Sequence, residues 1–133
     1  MSQENVTVAK ELFDAVRRQD LPRLIELTDP DVEWYSFFSL GEAGDVYRGH
    51  SGLERYAKDL GEAWETVSPD FDGAVEVGSV VVLVGKVHYR GRGSGVEDES
   101  PSGWMLKFRQ GKVACFRAFQ QPEQALEAVG LRE

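Results

Sequence analysis

Few side chains in this sequence can do chemistry at neutral pH, and their spacing limits which chemistry that is. His50 and His88 are the two histidines, and Cys115 is the single cysteine. They lie far apart with no HExxH or CxxC spacing, so the sequence implies no metal site and no cofactor. A thiol acts as a nucleophile only with a base beside it, and strand alternation turns Cys115 outward with none. His88 falls on an outward strand face, where a surface or interface role suits it. His50 stands just before a helix start, near the rim of any cavity, and is weighed as a general base against a plain loop role. Asp98 and Glu99 flank a Gly-rich link and could fold over a cavity mouth; a solvated charge run is the simpler account. The run Gly91-Arg92-Gly93-Ser94-Gly95 lacks the strand–loop–helix context of a phosphate cradle. What remains is aromatic. Trp34 and Trp104 stand in strands, where a buried indole N–H needs an acceptor.

The elements that must position these groups are legible from periodicity. Val6, Ala9, Leu12, Phe13 and Val16 recur at helical spacing, with Lys10, Glu11, Asp14, Arg17 and Arg18 opposite. Asp20 can cap a second helix with Pro22 in its first turn and Leu24, Ile25 and Leu27 as its stripe, stopped by Pro30. Val32–Phe38 reads as a strand, 39–45 as a loop and Val46–Arg48 as a short edge strand. Ser51 and Glu54 form a capping-box pattern ahead of a third helix with Leu53, Tyr56, Ala57, Leu60, Ala63 and Trp64 on one face. Four strands follow over Phe71–Val77, Val80–Arg90, Ser100–Arg109 and Val113–Gln120. Gly78-Ser79 and Gln110-Gly111 make tight turns between them, and Gly91–Glu99 forms a longer, mobile link. Pro122 opens a C-terminal helix with Ala125, Leu126 and Val129 inward and Gly130 as its stop.

This order predicts an α+β fold: a cone-shaped, curved antiparallel sheet covered by three helices, with a short C-terminal helix. A bent sheet closed by helices leaves a hollow whose mouth is a natural pocket. The 133 residues suffice for one domain, 1–133, with a sizeable core. With 15 basic and 23 acidic residues the net charge is −8, the wrong sign for binding a phosphate backbone. A lone cysteine excludes an internal disulfide and fits a reducing compartment. No run reaches a membrane span and the N-terminus lacks a secretory pattern, so a soluble cytoplasmic chain is expected.

Several segments together resemble a known superfamily. They are Gln19-Asp20-Leu21 after the first helix, Asp29-Pro30-Asp31-Val32-Glu33-Trp34, and Tyr47-Arg48-Gly49-His50-Ser51-Gly52-Leu53. The later segments are Trp104-Met105-Leu106-Lys107-Phe108, Gly111-Lys112-Val113 and the tail 122–131. Across essentially the whole chain the sequence is similar to the nuclear transport factor 2-like superfamily, most closely its SnoaL-like branch, named for a polyketide cyclase. The superfamily hosts isomerases, cyclases, hydrolases, dehydratases and non-enzymatic binders, so the resemblance implies a fold and not a reaction.

Alternation then selects the residues that ring the hollow. Trp34, Ser36 and Phe38 share one face of the first strand; Tyr89, with Val81, Leu83, Gly85 and Val87, lies on the inward face of the long strand. Ser102, Trp104, Phe116 and Gln120 continue the set, and Tyr56 joins from the third helix. Any one of these aromatics can equally be plain core. In steroid isomerases of this fold a base carboxylate, a tyrosine and an acid do the work. By register these fall on Trp34, Leu12 and Trp104, which cannot transfer protons at neutral pH. The resemblance therefore implies a binder of a small hydrophobic molecule, acting on it by cyclisation, isomerisation or hydration or else merely carrying or sensing it. A third reading is a protein-interaction module. Val80, Val82, Val84, Cys115 and Phe119 beside Lys86, His88 and Arg117 form an outward apolar face that implies a homodimer.

Overall fold

The apolar stripe of the first helix forms as its spacing demands: α1 (Ser2–Arg18) buries Ala9, Leu12, Phe13, Ala15 and Val16. The computed structural model describes residues 2–35, 46–128 and 130. After α1 come α2 (Leu21–Leu27), β1 (Thr28–Tyr35), β2 (Tyr47–Arg48), α3 (Gly49–Ala63) and β3 (Trp64–Val77). The chain continues through β4 (Val80–Gly91), β5 (Glu97–Arg109), β6 (Lys112–Phe119) and α4 (Pro122–Ala128). The cap of α2 is as read: the Asp20 carboxylate accepts the Arg23 backbone N–H at 3.2 Å. Its end is not. Thr28, rather than Pro30, closes the helix, its hydroxyl donating to the Leu24 carbonyl at 2.8 Å, and Pro30 already lies within β1.

Two other boundaries differ for identifiable reasons. No side chain caps α3, which begins at Gly49 rather than after Ser51. Gly49 has φ +69°, a conformation glycine enters without penalty, and the helix starts three residues early. Trp64, assigned to the helix stripe, instead opens β3. The supposed link after β4 is also shorter, because Glu97, Asp98 and Glu99 pair with Arg90, Tyr89 and His88 as part of β5. They form a ladder and not a flap.

The six strands form one sheet in the order β2-β1-β6-β5-β4-β3. It is antiparallel except that β1 runs parallel to β6. Val81, Leu83, Trp104, Leu106, Val113 and Phe116 of its inner face share one core with Leu12, Phe13, Leu24, Leu53 and Tyr56 of α1–α3. The fourth helix does not join them. Gly103 lies opposite Val84 on the outer face, and a Cβ there would come within 2.8 Å of Ala125 and 2.9 Å of Pro122. So α4 docks on the outside of the sheet with Ala125 fully buried, and the absent side chain of Gly103 makes the seat. Val129 lies outside the described residues.

This contact sets a prediction. Gly103→Val should lower the unfolding free energy by roughly 1–3 kcal/mol, as overpacking of a filled site does. Urea unfolding measures it, with early proteolysis in α4 as a second sign. An unchanged midpoint with α4 protected would mean the helix does not sit there.

Candidate functional site

The parallel register of β1 on β6 places Trp34 opposite Phe116. Both side chains point inward and their rings stack at 3.9 Å between centroids, 10° from parallel. From α3, the Tyr56 ring lies 5.2 Å from Trp34. Tyr47 of β2 meets Tyr56 edge-on at 5.4 Å, with the Arg55 guanidinium 4.6 Å above Tyr47. On the other side Phe13 of α1 contacts Trp104 at 4.8 Å, Phe71 at 5.1 Å and Phe116 at 6.3 Å. The result is a continuous aromatic run across the inner face. The quadrupoles of its rings favour these offset and edge-on contacts.

One polar atom in this run is out of place. The Trp34 indole nitrogen is buried and has no hydrogen-bond partner, in a residue that is 0% exposed. Leaving such a donor unpaired costs about 1–3 kcal/mol. Tyr56 is the polar neighbour of this donor, though the two do not reach hydrogen-bond geometry. Burial pushes the Tyr56 phenol well above its ordinary range; the Trp34 N–H eases that rise and Tyr47 adds to it. The phenol therefore stays neutral throughout the physiological range.

The other anticipated pocket residues divide. Trp104, 3% exposed, and Phe116 are core members of the run. Ser102 is inward and buried, but its hydroxyl donates to the Phe119 carbonyl at 2.9 Å. Tyr89 lies towards the far end of β4, its hydroxyl 3.1 Å from Ser100 Oγ and its ring 5.0 Å from Trp64. It does not join the Trp34 group. Gln120, anticipated inward, follows the end of β6 and is exposed. Ser36 and Phe38 lie outside the described residues. Phe13 and Tyr47 belong to the run although the sequence reading does not single them out for the pocket. Phe13 shares the buried stripe of α1 with Leu12, so a signal existed; a two-residue strand such as β2 is too short for alternation to assign Tyr47.

The titratable candidates are engaged elsewhere. His50 Nε2 lies 3.3 Å from the Thr28 carbonyl, tying the first turn of α3 to the start of β1. On the outer face His88 faces Glu97 at 3.5 Å, Lys86 faces Glu99 at 3.7 Å, and Arg90 bridges Glu97 and Glu65. Burial raises the Cys115 thiol pKa, against Lys107 and Arg117, which lower it, so the reactive thiolate is disfavoured. Leu12, Trp34 and Trp104, the positions where the isomerases place their chemistry, are all packed in the core. Among the described residues no three His, Cys, Asp or Glu side chains converge as a metal site would need.

Two open cavities lie away from the aromatic run. One of about 590 Å³ is on the outer face between Val84, Lys86, Pro101 and α4; another of about 360 Å³ lies by Arg17, Ser68 and His88. Their walls mix charges of both signs in solvent, and Lys86 and Glu99 line both. Volume alone favours them. The unmet hydrogen-bonding demand lies in the interior, and demand is the better guide to a specific ligand.

The SnoaL-like domain model matches residues 9–116, spanning the helical half and the sheet. This chain belongs to the SnoaL-like domain family. A search among curated proteins returned no match. Among solved structures, an NTF2-like protein of unknown function from Burkholderia pseudomallei superposes with a TM-score of 0.78 at 18% identity, covering 96% of this chain and 98% of its own. TerC, co-crystallised with polyporic acid, also gives 0.78 at 18% identity, over 93% and 96%. A ketosteroid isomerase-like fold from Catenulispora acidiphila, in complex with trimethylamine, gives 0.75 at 14% identity, over 93% and 92%. At these identities the likeness is one of fold. No described helix of this SnoaL-like chain is long and apolar enough to cross a membrane.

The Tyr56 environment makes a pH prediction. A phenol whose folded pKa is raised contributes stability that is intact below its unfolded value, about 10, and lost as pH rises above it. Wild type should therefore lose stability in alkali more steeply than Tyr56→Phe when urea unfolding is repeated across that window. Parallel curves would remove Tyr56 as the buried titrating group.

Proposed function

We propose that this SnoaL-like chain binds a small, largely apolar organic molecule in the aromatic interior between the sheet and α1–α3. The observation that carries the reading is the buried, unpartnered Trp34 N–H amid stacked rings. Aromatic walls with one or two placed polar groups are the usual make-up of a small-molecule site. That TerC was co-crystallised with polyporic acid, and the Catenulispora protein is in complex with trimethylamine, supports small-molecule binding on this fold. The isomerase route has no residues to run on where its base, tyrosine and acid would stand. Binding, with Tyr56 and Trp34 orienting the guest, is thus the function these groups serve best. The lone cysteine, Cys115, is in keeping with a cytoplasmic setting.

Tryptophan fluorescence tests this directly. Titration with polyketide-like, steroid and terpenoid compounds should give saturable quenching by at least one class. That quenching should fall by half or more in Trp34→Phe and change little in Trp64→Phe. Quenching carried by Trp64 alone, or none from any class, would contradict an interior site.

A second reading concerns assembly, and exposed valines favour it. Val75 and Val77 of β3 are 44% and 42% exposed. They pair with Val82 and Val80 on the outer face. Exposed apolar area of this kind marks an interface. The wider patch anticipated from sequence is reduced, since α4 lies over the Val84–Gly103 region and Val82 is only 1% exposed. We propose a homodimer through the β3 end of this face. Sedimentation equilibrium should give a dimer mass that Val75→Lys with Val77→Lys reduces to a monomer. A wild-type monomer at tens of micromolar would refute it.

A further inference from the structure

We propose that the outer cavity between the sheet and α4 is a second binding site, and that it takes an organic cation, an ammonium group on an apolar body. The cavity measures about 590 Å³, a size within the range of small-molecule sites. Its origin lies in how α4 is seated. Ala125 fills the space left by the missing side chain of Gly103, which pins one point of the helix against the strands. Beyond that point the packing does not close. Leu126 of α4 and Val84 of β4 both line the gap, each half-buried. The rings of Pro101 and Pro122 complete the apolar part of its wall.

The charges around this hollow set the class of guest. Carboxylates come from three elements: Asp72 from β3, Glu99 from β5 and Glu123 from α4. Lys86 is the cation in the lining, and Glu99 already stands 3.7 Å from it. Asp72 and Glu123 have neither an ion pair nor a hydrogen bond among the described residues. Exposed carboxylates alone are ordinary on a chain of net charge −8; what sets these apart is the apolar hollow they rim. An anion would face Asp72 and Glu123 with only a partly neutralised lysine to offset them. A neutral apolar guest would gain nothing from the rim. A bare metal ion would leave the apolar wall unused, and the described acids do not converge as ligands to one. An ammonium carried on an apolar body uses both parts. Among the described residues, none of the buried unpaired polar atoms lies in this lining. Selection here is therefore by charge and apolar area, unlike the demand at Trp34.

Three probes of one shape and different charge test this: 1-naphthylmethylamine, 1-naphthylmethanol and 1-naphthoate. Each is titrated into nitrogen-15-labelled protein, so that the amides that shift locate the probe. At low salt the amine should move the amides of Lys86, Glu99 and Leu126. It should bind about three- to tenfold tighter than the alcohol, the worth of one or two exposed charge contacts, and naphthoate should bind weakest. Raising the ionic strength to about 0.5 M should remove most of that preference, since exposed charges are then screened. Asp72→Asn combined with Glu123→Gln should bring amine and alcohol to within about twofold. Both residues are exposed, so the variant should fold, and its own spectrum reports whether it has. Amine shifts confined to the inner face, equal affinity for amine and alcohol in wild type, or a preference that survives the double substitution would each overturn the proposal. The interior reading is tested separately, because the Trp34 and Tyr56 rings lie on the other side of the sheet.

Discussion

The stack of Trp34 on Phe116 is the contact on which the rest of the site depends. It exists because β1 enters the sheet parallel to β6, in a register that sets these two residues side by side. A one-residue slip would turn Trp34 outward and bring Glu33 or Tyr35 into the core. Outside, those two are already engaged: Glu33 pairs with Arg48 at 2.8 Å, and the Arg117 guanidinium lies 5.4 Å from the Tyr35 ring. Charge outside and indole inside therefore hold the same register from both faces.

With that register fixed, the other rings follow from helix placement. Tyr56 arrives on the inward stripe of α3, Phe13 on that of α1, and Trp104 from β5. The positions that would supply a proton-transfer dyad are thereby given to large apolar side chains. On the proposed reading, shape and a buried donor are the means of recognition. The ion pairs of the outer face are largely exposed and individually worth little. Their role is to keep that face solvated beyond the valines of β3.

Much of this was legible in the sequence, for physical reasons that also explain the failures. The stripe of α1, Leu53 and Tyr56 of the α3 stripe, the Asp20 cap and the inward alternation of Val81, Leu83, Trp104 and Leu106 are local signals that survive folding, whereas Ala63 is exposed and Trp64 passes into β3. The family follows from the same segments. What eluded the sequence were events at single residues and between distant ones. A glycine at positive φ moved the start of α3, and Thr28 ended α2 by bonding back to its own helix. The missing side chain of Gly103 admitted α4 to the outer face, where amphipathicity alone cannot tell one side of a sheet from the other. Gln120 kept its alternation but ran past the end of β6 into solvent. The unpaired state of the Trp34 N–H is invisible to any pattern, since it depends on what several elements fail to bring near it.

That donor is also where the account is most exposed. A proton–nitrogen correlation spectrum of the three tryptophan indoles, with Trp34 assigned by Trp34→Phe, tests it most directly. In the protein alone the Trp34 resonance should lie upfield, as for an N–H without an acceptor, and it should move when the polyketide-like, steroid or terpenoid compound that quenches fluorescence is added. A Trp34 signal already at the hydrogen-bonded position without a guest, or one that a bound guest leaves unmoved, would contradict the account.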